Sequence, residues 1–359
     1  MALHTATAII DLSALTHNYQ TIKTLAPKAK VLAVLKANGY GHGLERIAKA
    51  LPNADAFGVA RIDEALALRA AGIVQPIVLL EGFFADSDIA ILAANNFATV
   101  IHNQQQLSAI LNAKLEQPLK VWLKIDTGMH RLGINPEQFS QFYQALSQSP
   151  NVQKSLVLMS HLGCADDKTA STTPKQMALF DALCADSKLE KSLANSAAVL
   201  CWPESHYQWI RPGLLLYGVS PLPQAETIDG VKPVMTLQSS LIAVREIAAG
   251  EAVGYGGAWV SKQKTTVGVI AIGYGDGYPR HAQNGTPVLL NGRRVPLIGR
   301  VSMDMITVDL GQHSTDKIGD IATLWGKGLN IEEIAQAATS IPYELLCNIS
   351  RRVKVQLAQ

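Results

Sequence analysis

Cysteine is scarce in this chain. There are four, Cys164, Cys184, Cys201 and Cys347, and no two form a C-x-x-C pair. That spacing argues against a zinc site or a disulfide framework and fits free thiols in a reducing compartment. Aromatic residues are few, at 6% of 359. Charge is nearly balanced, with a formal net of +2 and no basic run. Nucleic acid and anionic membrane surfaces are therefore not expected partners. No apolar run reaches transmembrane length. The first residues, Met-Ala-Leu-His-Thr-Ala-Thr-Ala, lack a positive region followed by a long apolar one. No secretory signal is visible, and the cytoplasm is the expected location.

What is present is an ordinary globular balance, 48% hydrophobic and 17% charged, in a chain natural for two domains. The informative stretch is Val31-Leu-Ala-Val-Leu35, followed by Lys36 and then Ala-Asn-Gly39-Tyr40-Gly41-His42-Gly43. Five apolar residues in a row read as a strand buried on both faces. The three glycines demand a sharp turn after it. A lysine at the carboxyl end of a buried strand stands where barrels and open sheets keep their active sites. Partial desolvation there would suit a Schiff-base nucleophile. A surface lysine after a core strand is the plainer alternative.

Residues 5–10 form a short strand candidate, and Ser13 is expected to cap the helix that follows. From residue 31 a beat sets in of apolar run, loop and helix. Strand candidates lie at 31–35, 56–60, 77–80, 98–101, 119–125, 156–160, 193–196 and 207–211. Helical patterns fill the gaps, as at 62–71, ending on Gly72, and from Pro136 to about 146. Eight strands alternating with helices predict a (β/α)8 TIM barrel over 11–225, with a doubly wound open sheet as the alternative. Pro221, Pro223, Gly230 and Pro233 mark a linker. Beyond it lie β-rich runs at 235–246, 265–272, 287–290, 295–298, 306–310 and 321–324, with one helix near 331–338. Asn291-Gly292 signals a hairpin. These runs predict a mainly-β second domain over 226–359, joined by the strand at 1–10.

On the barrel, polar residues fall at the strand ends. They are Lys36, Lys124 with the following Asp126-Thr-Gly-Met-His-Arg131, His161, Ser196 and Arg211. All would face one rim. Ser196, with the backbone N–H groups of Gly213 and Leu214, would suit an anion there. A lysine able to form an imine opposite a phosphate cradle suggests pyridoxal phosphate. Singly, Ser196 reads equally well as a helix cap and His161 as an interior histidine.

Three blocks of the barrel region carry a family resemblance. They are Val-Leu-Lys36-Ala-Asn-Gly-Tyr40-Gly-His-Gly, Lys124-Ile-Asp-Thr-Gly-Met-His-Arg131-Leu-Gly and Ile-Arg211-Pro-Gly213-Leu-Leu-Leu-Tyr-Gly. Four more follow: Gly254-Tyr255-Gly-Gly, Gly273-Tyr274-Gly-Asp-Gly277, Gly299-Arg300-Val-Ser-Met303-Asp304 and Pro342-Tyr343-Glu-Leu-Leu-Cys347. In order and over essentially the whole chain, they resemble the alanine racemases.

The resemblance implies a homodimeric, pyridoxal-phosphate-dependent enzyme interconverting L- and D-alanine. Lys36 would hold the cofactor and act as one acid–base group. Tyr255 of the partner subunit would be the other, on the opposite face. A free tyrosine has a pKa of ~10, so neighbours must activate it. Arg211 matches the residue facing the pyridine nitrogen, and His161 the residue holding Arg211. Tyr40, Ser196, Gly213, Leu214 and Tyr343 resemble phosphate contacts. Arg131 and the backbone N–H of the partner's Met303 resemble substrate carboxylate donors. Lys124 matches a lysine that is carbamylated in many members, with an ion pair to Asp126 as the alternative. Asp166, Tyr274, Arg280, Arg300 and Ile341 resemble a constricted access passage. The rivals are a racemase of broad specificity, a decarboxylase on the same fold and a cofactor-binding protein without turnover. Peptidoglycan supply and alanine catabolism are both open.

Overall fold

The computed structural model describes residues 5–185, 187–222 and 228–358. Eighteen strands are named here in chain order: β1 (Thr7–Ile10), β2 (Lys30–Val34), β3 (Ala56–Val59), β4 (Ile77–Leu79), β5 (Phe97–Ile101), β6 (Val121–Lys124), β7 (Val157–Met159), β8 (Glu190–Ser192), β9 (Trp209–Ile210), β10 (Met235–Ile247), β11 (Ala252–Val253), β12 (Trp259–Val260), β13 (Thr265–Ile270), β14 (Pro287–Leu290), β15 (Arg293–Pro296), β16 (Ile306–Gly311), β17 (Ile321–Trp325) and β18 (Lys354–Leu357). They belong to two compact units. The expected boundary at 225 and 226, and Pro223 within the linker, lie outside the described residues.

In the first unit β2 to β9 close a barrel in sequence order, each strand parallel to its neighbours. β9 returns to β2 through Lys30↔Trp209 and Val31↔Ile210. The eight-stranded expectation therefore holds, and the open sheet does not. β3 to β7 are buried along their whole length, as βα crossovers require. Most expected strands agree with the observed ones to within a residue or two. The seventh does not. β8 is Glu190–Ser192 rather than 193–196, because its pairing is polar: Lys30 and the Trp209 indole both bind the Glu190 carboxylate, at 2.6 and 2.7 Å, and Ser192 Oγ donates to the Trp209 carbonyl at 3.0 Å. The apolar Leu193-Ala194 that suggested a strand lies beyond it. Ser196 accordingly opens the helix Ser196–Cys201, which Asn195 caps by accepting the Ala198 N–H.

The second unit is an eight-stranded sheet ordered β15-β14-β17-β10-β1-β18, with β13 bridging β10 and β16. β1 lies antiparallel to β10 and parallel to β18. Asp11, not Ser13, caps the helix Leu12–Leu25: its carboxylate accepts the Ala14 N–H at 2.9 Å and the Ser13 hydroxyl at 2.6 Å. Asn291 (φ 48) and Gly292 (φ 78) make the two-residue turn joining β14 to β15. That turn pairs Leu290 with Arg293 and starts β15 two residues before the apolar run. β11, β12 and β18 were not expected, since two-residue strands and an exposed Lys-Val-Gln-Leu edge leave no apolar run. Among the described residues, no helix is long and apolar enough to cross a membrane.

Candidate active site

The chain leaves β2 through a turn of unusual hand. Ala37, Asn38, Gly39, Tyr40 and Gly41 all have positive φ, at 54°, 57°, 62°, 52° and 78°. A left-handed conformation costs about 1–2 kcal/mol for each residue other than glycine, and three of these five carry side chains. Hydrogen bonds offset that. Asn38 Oδ1 accepts the Leu44 N–H at 3.0 Å. His42 is fully buried, and its Nδ1–H donates to the carbonyls of Tyr40 (2.8 Å) and Gly39 (3.1 Å). Burial pulls the His42 pKa down to about 4, so the ring is neutral near pH 7. The Glu64 carboxylate grips the backbone N–H groups of Ala60 and Arg61, and reaches that of Asn38 at 3.4 Å. Strain held in place by so many partners is typical of functional sites.

The turn fixes two of the expected residues. Lys36 is half-buried, and its side chain makes no hydrogen bond or ion pair with a described residue. Tyr40 is buried, and its hydroxyl faces the backbone of Gly213: a Cβ at 213 would lie 2.4 Å from Tyr40 Oη. Only glycine fits. Ser196 Oγ accepts the N–H of Gly213 (2.9 Å) and of Leu215 (3.2 Å). Two donors on that oxygen leave its own hydrogen to be given elsewhere. Tyr40, Ser196 and Gly213 thus meet at one place, with Leu214 next in chain.

Arg211 follows β9 and is buried. Its guanidinium donates to Ser192 Oγ (2.7 Å), the Ser160 carbonyl (2.6 Å), the Leu193 carbonyl (3.2 Å) and His161 Nδ1 (3.2 Å). Arginine has no acceptor, so His161 Nδ1 carries the lone pair. Burial, together with Arg211, Lys124, Arg131 and Lys36, holds the His161 pKa well below the usual histidine range.

Lys124 ends β6 and is buried. The expected alternative, an ion pair with Asp126, is not formed. Asp126 Oδ1 accepts the N–H groups of Gly128, Met129 and His130 at 2.9, 3.1 and 3.0 Å, and Oδ2 lies 3.3 Å from His130 Nδ1. No described residue bonds the Lys124 ammonium; the backbone carbonyl accepts the Ile134 N–H at 2.9 Å. Burial pushes its pKa down to about 8, reinforced by Arg211, Arg131 and Lys36. Arg131 is exposed and likewise without a partner among the described residues. Four cationic side chains thus sense one another at the carboxyl ends of the barrel strands, and the Glu81 carboxylate opposes them at Lys124. Such a mouth attracts anions. An unpaired amine beside it can attack a carbonyl carbon. Asp166 is exposed in the loop after β7 and takes no part in these contacts.

The remaining expected residues lie on the surface of the other unit. Tyr255 stands 68% exposed in a tight turn between β11 and β12. The Arg300 guanidinium packs against Gly256 of that turn, where a Cβ would be 3.4 Å away. The Ser302 and Met303 carbonyls accept the N–H groups of Tyr274 and Gly275, at 3.1 and 2.8 Å, which fastens those two loops together. Tyr274, Arg280, Arg300, Met303, Ile341 and Tyr343 are all exposed. Sequence reasoning missed the supports: Ser160, Ser192, Glu64 and Gln176 lie outside every motif block, and nothing local marks them.

The family descriptions "Alanine racemase, N-terminal domain" and "Alanine racemase, C-terminal domain" match residues 10–221 and 234–357. The chain is 57% identical over 352 residues to the alanine racemase of Vibrio parahaemolyticus, covering 98% of each. It is 52% identical to that of Shigella boydii, covering 99% of each. The crystal structure of a biosynthetic alanine racemase from Pseudomonas aeruginosa superposes with a TM-score of 0.96 at 43% identity, over 99% of this chain and 100% of that one. An alanine racemase from Bartonella henselae with covalently bound pyridoxal phosphate gives 0.88 at 30%, over 99% of each. Two adjoining family matches and relatives aligned over nearly their whole length account for both units, and the chain belongs to the alanine racemase family.

Proposed function

We propose that this protein interconverts L- and D-alanine, with pyridoxal phosphate held in the barrel mouth. The observation that carries the reading is Lys36: an unpaired amine at a strand end, among cations that suit both a phosphate and a carboxylate. The site fits the cofactor, because Tyr40, Ser196 and the bare backbone of Gly213 form a cradle with a hydroxyl hydrogen to give. Leu214 and Tyr343 are assigned to the same phosphate by resemblance. When bound, the cofactor links to an amine and withdraws electrons from the neighbouring Cα–H bond, making that proton acidic.

The protein's own groups then do the rest. Inverting a centre needs a proton taken from one face and another given to the opposite face. Lys36 moves it on one side and the partner subunit's Tyr255 on the other. Arg131 and the backbone N–H of the partner's Met303 hold the substrate carboxylate. Arg211 only donates, so it can bond an unprotonated ring nitrogen without yielding a proton. A decarboxylase on this fold would place a carboxylate there. Asp166, Tyr274, Arg280, Arg300 and Ile341 narrow the approach, which favours alanine over larger amino acids. The cytoplasm is the assigned location, and the reaction serves D-alanine supply to peptidoglycan or alanine catabolism.

Pure holoenzyme incubated with L-alanine should form D-alanine until the two are equal. Lys36→Ala and Tyr255→Phe should each be inactive. Mixed after dissociation, they should regain about a quarter of the native rate, since half the dimers carry one intact site of two. No recovery, with exchange confirmed by mass, would place both residues of a site on one chain.

Lys124 is assigned as carbamylated. Its neutral amine adds to carbon dioxide, forming an N–C bond and releasing one proton, and the lowered pKa favours the neutral form. The product is an anion beside Arg131. Carbon-13 bicarbonate should give a carbamate NMR signal that Lys124→Met lacks. Without carbon dioxide the buried cation should instead destabilise the fold. Its folded pKa of about 8 lies below the unfolded 10.5, so the penalty is complete below pH 8 and relieved as pH rises to 10.5. In carbon-dioxide-free buffer Lys124→Met should therefore be more stable than the native protein by about 3 kcal/mol at pH 7. Denaturant midpoints at pH 7 and 10.5 test the sign, because the gain should disappear at the higher pH.

A further inference from the structure

Gln176 belongs to no motif, and its side chain is buried on the helix Thr172–Leu183. An amide buried there is costly unless every polar atom is bonded. Both ends are. Oε1 accepts the Gly163 N–H at 2.9 Å, and Nε2 donates to the His161 carbonyl at 2.9 Å. The orientation is unambiguous, because an N–H can only donate and a carbonyl can only accept. Nε2 also approaches Thr127 Oγ1 at 3.5 Å, and Thr127 Oγ1 lies 2.8 Å from Ser160 Oγ. Gly128 packs on the same side chain: a Cβ there would meet Gln176 Cγ at 3.4 Å.

Two rim loops therefore rest on one side chain. One follows β6 and carries Arg131. The other follows β7 and carries His161, and the carbonyl of Ser160 in that loop accepts from Arg211. We propose that Gln176 is a positioning residue for racemisation, fixing His161 and through it Arg211. The proposal rests on the functional reading above. The short bonds go to the His161 loop and only a long contact reaches the Arg131 loop. The rate should depend on Gln176 more than alanine binding does.

The test is a double-mutant cycle on full-length holoenzyme, with Gln176→Met, His161→Leu and the pair. Gln176→Met should lower kcat about ten-fold, the scale of a small misplacement, with KM changed less than two-fold. The visible absorption maximum of its bound cofactor should move. Because Gln176 acts through His161, the double variant should be no more than two-fold slower than His161→Leu alone. Losses that multiply would overturn the proposal. So would a Gln176→Met enzyme with native kcat once fully loaded. If Gln176→Met does not accumulate folded, Gln176→Glu takes its place under the same criteria. It keeps the acceptor for Gly163 and loses the donor to His161. A native holoenzyme that makes no D-alanine would overturn the functional reading itself, whereas a failed cycle in an active enzyme overturns this proposal alone.

Discussion

Lys36→Ala should lose racemisation by at least about a thousand-fold, because the proposed mechanism gives Lys36 both the attachment point and an acid–base role. The loss should come without unfolding. The Lys36 side chain bonds no described residue, and the turn after it is held by Asn38, His42 and Glu64. No neighbour can stand in for it, since Lys124 is buried within its strand. Chiral chromatography measures the rate, and circular dichroism checks the fold. Borohydride should fix the cofactor to a peptide containing Lys36 in the native enzyme and to no peptide in the variant. An adduct that survives Lys36→Ala would assign the attachment to another residue.

Arg211→Glu should be the most damaging change to the fold of the site. Four acceptors converge on the guanidinium, two of them backbone carbonyls. A carboxylate only accepts, so it would face those carbonyls oxygen to oxygen in a buried place. Breaking a buried charged network in this way costs roughly 3–5 kcal/mol. The thermal midpoint should fall by several degrees, and racemisation by at least about a hundred-fold in whatever fraction loads cofactor. Arg211→Lys keeps the charge with fewer donors, and should fall between the two in both measures. A well-folded, fully loaded Arg211→Glu enzyme racemising at the native rate would remove Arg211 from the chemistry.

The barrel was legible because its strands are apolar runs of the right length, and β3 to β7 have no polar alternative. β8 was misplaced because Glu190-Lys-Ser192 is held by polar partners on β2 and β9, and strand periodicity does not register such bonds. The site was legible as residue types at strand ends. Its supports were not. Nothing near Ser160, Ser192 or Gln176 in sequence indicates that they bond Arg211 or the loops around it. Likewise the motif placed Lys124 beside Asp126, but Asp126 is occupied by its own turn, which the motif does not show. The left-handed turn was foreseen at its glycines and not at Ala37, Asn38 and Tyr40, around which the side chains of Asn38, His42 and Glu64 hold the backbone.

β1 leaves the ribosome before every other described strand, yet both of its sheet neighbours, β10 and β18, are made far later. At 5–20 residues per second, the wait for β18 is roughly twenty seconds to a minute. The barrel strands all emerge in that interval and pair only with one another. Newly made chains should therefore carry a finished barrel while Thr7–Ile10 still has no neighbour. A hydrophobic segment left without a neighbour until β10 is made is a natural client for a chaperone, and a natural starting point for aggregation when translation stalls before residue 235.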